Sequence, residues 1–123
     1  MNIVLWIIQI LLAFVFISHG RLMWFPLAPK QQEMLGYIEA IPSGLKRFTA
    51  VAESLAGVGL ILPWLTGILP WLTPLSAVGL VLVMVGAIIF HIPRKEYPNI
   101  VFNLVLLALA AFVAYERFVV AHL

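Results

Sequence analysis

The chain has 123 residues, of which 64% are hydrophobic and only 10% are charged, against about 25% charged residues in soluble domains. A soluble domain of this size could not bury so much apolar surface, so the composition predicts an integral membrane protein surrounded by the lipid bilayer. The net charge of +2 comes without a basic run, which argues against nucleic acid as a partner. Cysteine is absent, which excludes disulfides, thiolate nucleophiles and thiolate-held iron–sulfur clusters.

Four apolar runs have the length of membrane-spanning helices, since a hydrocarbon core about 30 Å thick needs roughly 20 helical residues. They lie at about residues 3–25, 48–62, 72–92 and 100–120. The first run lacks the basic start and cleavage site of a signal peptide, so we interpret it as a retained helix. Open strands are excluded because lipid offers no partner for a sheet edge. The sequence predicts an all-α membrane four-helix bundle, with residues 1–123 as a single transmembrane domain.

The segment between the first two runs, Pro26 to Lys46, is the only long polar stretch. Pro29 is placed to start a helix, and Pro42 with Gly44 to end one. Apolar residues recur within it at helical spacing, namely Met34, Leu35, Ile38 and Ile41. This pattern predicts a short amphipathic helix at the membrane interface, either a connector packed on the end of the bundle or a lid.

The turn between the second and third runs has no charged residue and repeats the unit Pro-Trp-Leu-Thr after seven positions. We expect a tight hairpin in which proline stops each helix. Trp64 and Trp71 are typical of anchors at the level of the lipid headgroups, with ligand binding as the alternative.

Lys and Arg are distributed unequally between the two sides of the predicted bundle. Those that follow the first and third runs are Arg21, Lys30, Lys46, Arg47, Arg94 and Lys95. The opposite side carries only Arg117. Because positive charge collects in short cytoplasmic loops, both polar loops are predicted to be cytoplasmic and both termini periplasmic.

Polar side chains within the predicted helices collect at this cytoplasmic end. The cluster comprises His19, Arg21, Glu53, His91, Asn99 and Asn103. Glu53 is the deepest and needs a partner, for which Arg21 is the first candidate and a structural ion pair the simplest interpretation. Considered alone, each residue is more typical of a structural role. Because they converge on four helices at one end, a binding or proton-handling site is as well supported as a purely structural cluster.

Small residues predict where helices approach one another. Ala52, Ala56 and Gly59 form a strip on the second run, and Gly79 and Gly86 lie seven residues apart on the third. We expect both strips to be helix contacts, with a homo-oligomer left open as the use of one of them.

Short motifs accompany these polar positions. They are Gly20-Arg21-Leu22, Arg47-Phe48, Ala52-Glu53, Gly57-x-Gly59-Leu60, Phe90-His91 and Pro98-Asn99-Ile100. In this order and spacing the chain resembles, over nearly its whole length, the DoxX-like family of small bacterial membrane proteins with four helices. Arg21 stands where that family more often has Lys, which keeps the positive charge.

The resemblance implies a four-helix fold in the bacterial inner membrane and a context in quinone or sulfur metabolism. Three functions remain open. The first is an accessory component that binds a small molecule or a partner redox subunit. The second is an oxidoreductase that holds a quinone through Glu53, His91 and Asn103, or a haem through His19 and His91. The third is a small transporter or proton carrier. No metal site is predicted, and haem is disfavoured because no further His stands at ligand spacing.

Overall fold

The computed structural model describes residues 2–25, 29 and 36–120, and every regular element in these ranges is helical. The elements are α1 (Asn2–Trp24), a 3-10 turn (Gly36–Ala40), α2 (Ser43–Gly59), α3 (Leu62–Thr66), α4 (Leu72–His91), α5 (Tyr97–Tyr115) and a π-helical turn (Glu116–Val120). Four segments are long and apolar enough to cross a membrane: α1, α2 with α3, α4, and α5 with most of the π turn. The predicted all-α four-helix membrane bundle is confirmed.

The helices pack as two pairs, α1 with α2 and α4 with α5, and the pairs meet mainly through α2 and α4. Glycine permits the closest approaches. A Cβ at Gly57 would lie 2.6 Å from the Ile17 side chain of α1, and one at Gly59 would collide with Ser76 of α4. At the same level the hydroxyl of Thr73 donates to the carbonyl of Gly59 at 2.8 Å. The small residues of α2 are therefore helix contacts.

The small residues of α4 do not make the expected contact. A Cβ at Gly79 or Gly86 would meet no atom within 4 Å. The reason is the rotation of α4, which turns Ala77, Leu80 and Met84 into the core. Gly79 and Gly86 lie roughly on the opposite face at 3.6 residues per turn. Gly79 is half-buried and Gly86 is exposed, and neither lies at a helix contact within this chain.

Proline positions differ from the prediction in a systematic way. Pro63 lies in the first turn of α3 and Pro74 in the first turn of α4, so proline begins these helices instead of stopping the preceding ones. Pro98 likewise lies in the first turn of α5, which starts at Tyr97, before the predicted boundary. The missing N–H of proline has no intrahelical partner in a first turn, so its loss is harmless there. α2 also starts earlier than predicted, at Ser43.

The predicted amphipathic helix falls mostly on residues 26–35, which apart from Pro29 lie outside the described residues. Its end is described and forms the 3-10 turn. There Ile38 is 1% exposed and packs with Met23 of α1 and Ala50 of α2. This contact fixes the neighbouring Tyr37 against the end of the bundle.

The opposite end of the bundle holds a buried arginine. Arg117, the one basic residue assigned to the side opposite the polar loops, is only 2% exposed. Its Nε donates to Oε1 of Gln9 at 2.8 Å and its Nη1 to Oδ1 of Asn2 at 2.9 Å. Its Cζ lies 4.4 Å from the ring centroid of Trp64. Neutral acceptors and an aromatic face replace part of the water around Arg117, while its Nη2 has no hydrogen-bond partner among the described residues.

Candidate functional site

A cavity of about 370 Å³ lies inside the bundle between α1, α2, α4 and α5. Its wall is mainly apolar, and its polar members are His19, Tyr37, Thr49, Glu53, His91 and Asn103. Small-molecule sites typically measure about 300–1,000 Å³ and combine apolar walls with a few placed polar groups. We call the end of the bundle that contains this cavity the polar end.

The structure brings together four of the six residues of the predicted cluster. These four are His19 of α1, Glu53 of α2, His91 of α4 and Asn103 of α5. Asn99 lies in the first turn of α5, outside the cavity wall. Arg21 is exposed on another face of α1, in a shallow groove beside Ser54. Each of the four membrane-length helices thus contributes one residue of the predicted cluster to the cavity.

Glu53 is 1% exposed, and its Oε2 lies 2.7 Å from Nδ1 of His19. Arg21, the expected partner, forms no ion pair with Glu53, although the structure describes both residues. Positions 19 and 21 differ by about 200° around a helix of 3.6 residues per turn, so they cannot both face α2. The correct partner of Glu53 is His19.

Nε2 of His19 lies 2.8 Å from the hydroxyl of Tyr37. An ionised Glu53 only accepts, so Nδ1 of His19 donates to it, and Nε2 of a neutral imidazole accepts from Tyr37. A protonated His19 reverses the second bond and frees the hydroxyl proton of Tyr37 for another acceptor. Burial and the nearby carboxylates of Glu53 and Glu96 raise the pKa of Tyr37 to about 12, so the phenol keeps its proton at neutral pH.

A second carboxylate orients His91, which is 3% exposed. Nδ1 of His91 lies 2.8 Å from Oε1 of Glu96, and Nε of Arg94 donates to the same oxygen at 2.9 Å. Partial burial raises the pKa of Glu96, but hydrogen bonds from His91 and Arg94 outweigh it and hold the pKa below its usual value. Because the ionised carboxylate accepts from Nδ1, Nε2 of His91 is the nitrogen that remains for a ligand.

Asn103 supplies the clearest sign of a missing partner. Its side chain is 8% exposed, and its amide nitrogen has no hydrogen-bond partner among the residues that the structure describes. An unpaired buried donor costs about 1–3 kcal/mol. Because Asn103 lies on the cavity wall, an acceptor oxygen on a molecule in the cavity would satisfy it.

Sequence reasoning missed two members of this site, Tyr37 and Glu96. Tyr37 hydrogen-bonds His19, and its ring meets that of His91 edge-on with centroids 4.8 Å apart. A lone tyrosine hydroxyl among the apolar positions of a predicted interfacial helix was the available signal. Glu96 follows His91 by five residues in a short turn, a spacing at which a loop carboxylate can reach back to a helix end.

The two histidines do not fit axial ligation of a haem. Both ring nitrogens of His19 already take part in hydrogen bonds, to Glu53 and to Tyr37. Ligation would require at least one of these bonds to break. In residues 2–25 and 36–120, no group of three His, Cys, Asp or Glu side chains could hold a metal ion.

The sequence model of the DoxX-like family matches residues 7–113. This range contains all four cluster residues that line the cavity. No curated protein and no solved structure matches the chain. The family match covers most of the chain and includes residues from all four membrane-length helices. The chain therefore belongs to the DoxX-like family and is a membrane protein.

Proposed function

We propose that the protein is an accessory membrane component of redox metabolism, linked to quinone or sulfur chemistry, that binds a quinone head group in the cavity at the polar end. The observation that carries this proposal is the buried, unpartnered amide nitrogen of Asn103 on the cavity wall. A quinone ring is planar and largely apolar and has carbonyl oxygens on opposite sides. It therefore suits an apolar cavity with a few hydrogen-bonding groups.

Two sets of residues would hold the ring. Asn103 donates its free amide N–H to one carbonyl oxygen. His91, oriented by Glu96, presents Nε2 to the other oxygen and donates when it is protonated. The chemistry that a quinone supplies is the uptake of electrons and protons at these oxygens. The chain's own contribution is to position the ring, exclude water and hold a proton at His91.

The hydrogen-bonded row of Glu53, His19 and Tyr37 gives the cavity a second proton-holding group. Protonation of His19 leaves Nε2 as a donor to Tyr37, whose own hydroxyl proton then turns to another acceptor. The chain has no cysteine and thus no thiol couple of its own. Electrons would come from a partner redox subunit, which is why we propose an accessory role in place of a self-contained oxidoreductase.

We further propose that the polar end faces the cytoplasm in a bacterial inner membrane and that both termini are periplasmic. The support is the excess of Lys and Arg in the segments that follow α1 and α4. Arg117, the one basic residue assigned to the opposite side, is buried, so that side has no exposed Lys or Arg among the described residues.

A thermal-shift experiment on the detergent-solubilised protein tests head-group binding. The probe is a tailless benzoquinone, and the control compound is the same substituted ring without carbonyl oxygens. We expect the quinone to raise Tm and the control compound to have no effect, since a ligand at 100 times its Kd stabilises by about 2.7 kcal/mol. Equal shifts would show a purely apolar site, and no shift with the quinone would contradict the proposal.

A further inference from the structure

The residues that line the cavity are buried on one side of it and exposed on the other. On the inner side Glu53 and His91 are 1% and 3% exposed. On the outer side four lining residues are exposed: Leu45 (56%) and Phe48 (71%) of α2, with Leu82 (67%) and Gly86 of α4. We call these four residues the lateral mouth. The cavity thus opens to the outside of the bundle between α2 and α4.

The mouth exists because α2 and α4 touch at one end and separate at the other. At the opposite end they are in contact through Gly59, Thr73 and Ser76. Toward the polar end the cavity lies between them. A Cβ added at Gly86 would meet no atom within 4 Å, so no side chain fills the space beside it.

The residues of the mouth lie within membrane-length segments. Leu45 and Phe48 belong to the segment Ser43–Thr66, and Leu82 and Gly86 to the segment Leu72–His91. Gly86 precedes the last residue of α4 by five positions, or about 8 Å along the helix, and Leu82 by nine, or about 14 Å. The mouth therefore opens on the side of these helices.

We propose that the natural ligand is a lipid-dissolved quinone with a long isoprenoid tail, and that its bound tail leaves the cavity sideways through the lateral mouth. This inference rests on the proposed function and adds the class of ligand and the path of its tail. The head group lies at Asn103 and His91, while the tail passes between α2 and α4 along Phe48 and Leu82. The tail stays in an apolar medium throughout, so binding requires no transfer of its methylene groups through water.

The test blocks the mouth and compares two ligands. Gly86→Phe places a ring in the open space of the mouth. Gly79→Phe is the matched control, because it lies seven residues away, a Cβ there also meets no atom within 4 Å, and it is not part of the cavity wall. Each variant is reconstituted in lipid nanodiscs, and the Kd values of a tailless benzoquinone and an isoprenoid-tailed quinone are measured.

We expect Gly86→Phe to weaken the tailed quinone by at least about tenfold, equivalent to 1.4 kcal/mol, and the tailless quinone by a clearly smaller factor. Gly79→Phe should match the wild type for both ligands. If Gly86→Phe folds poorly, Gly86→Leu serves as a smaller block with the same expected direction.

Three results would overturn the inference. Wild-type affinity of Gly86→Phe for the tailed quinone would show that the bound tail does not pass through the mouth, and would leave head-group binding intact. Equal loss of both ligands would show that the mouth and the head-group site are not separate. If the wild-type protein bound neither quinone, the proposed function itself would fail and the inference with it.

Discussion

Oε2 of Glu53 lies 2.7 Å from Nδ1 of His19, and this contact joins α2 to α1 inside the bundle. Through its other nitrogen His19 reaches Tyr37, so three side chains from separate segments form one hydrogen-bonded row beside the cavity. An unpartnered charged side chain inside a membrane costs about 2.5–3.5 kcal/mol on insertion scales. The pairing explains how Glu53 is accommodated, and it also gives the cavity a group that can hold a proton.

A double-mutant cycle should show that Glu53 is coupled to His19 and not to Arg21. We expect a coupling energy of about 0.5–3 kcal/mol for Glu53→Leu with His19→Leu, because each single variant leaves the other group without its partner. The same cycle with Arg21→Met should be additive, since Arg21 is exposed and makes no ion pair with Glu53. Free energies of unfolding in detergent give both values. Coupling to Arg21 alone would refute the geometry.

Alkaline titration should reveal the buried phenol of Tyr37. Its pKa in the folded protein, about 12, exceeds the ordinary value of 10.0. A raised folded-state pKa gives stability that is complete below the unfolded value and is lost as the pH rises through the folded one. Tm should therefore fall between pH 10 and pH 12, and Tyr37→Phe should flatten this part of the profile. An unchanged slope in that variant would assign the effect to other groups.

Acid titration of stability should reveal the contribution of Glu96, the carboxylate that orients His91. The pKa of Glu96 is below its ordinary value of 4.5, because hydrogen bonds from His91 and Arg94 outweigh partial desolvation. A depressed folded-state pKa gives stability that is present above the unfolded value and is lost as the pH falls through the folded one. We expect Glu96→Gln to remove part of the decline in Tm below pH 4.5. It should also weaken quinone binding at neutral pH, by releasing the orientation of His91.

Arg117 offers a stability test far from the cavity. Arg117→Met should destabilise the protein by about 1–3 kcal/mol, because the side-chain oxygens of Gln9 and Asn2 lose their donor. Adding Gln9→Leu should increase the loss, because Gln9 also donates from Nε2 to the buried carbonyl of Leu60, which would be left without a donor. The rise in Tm caused by a quinone should remain at the wild-type size in both proteins. A reduced rise would mean that the two ends of the bundle are coupled.

The sequence predicted most of the fold because lipid imposes a length and a composition on each span. It also predicted that polar side chains from four helices meet at one end. Consecutive helices cross the membrane in opposite directions, so the end of one lies beside the start of the next. It could not predict which of His19 and Arg21 faces Glu53, because that depends on the rotation of α1. The rotation of α4 likewise decides that Gly79 makes no helix contact. Tyr37 comes from a turn whose docking depends on the buried contact of Ile38.

The central claim is that the unpaired amide of Asn103 binds a ligand oxygen, and Asn103→Leu tests it most directly. Leucine has nearly the same shape but no donor, and its matched control is Asn99→Leu, one turn earlier on α5 and outside the cavity wall. The account predicts that Asn103→Leu keeps or raises the Tm of the ligand-free protein and loses most of the rise caused by a tailless benzoquinone. Asn99→Leu should keep the full rise. A full rise in Asn103→Leu, or a lower ligand-free Tm with no difference between the two variants in the quinone response, would contradict the account.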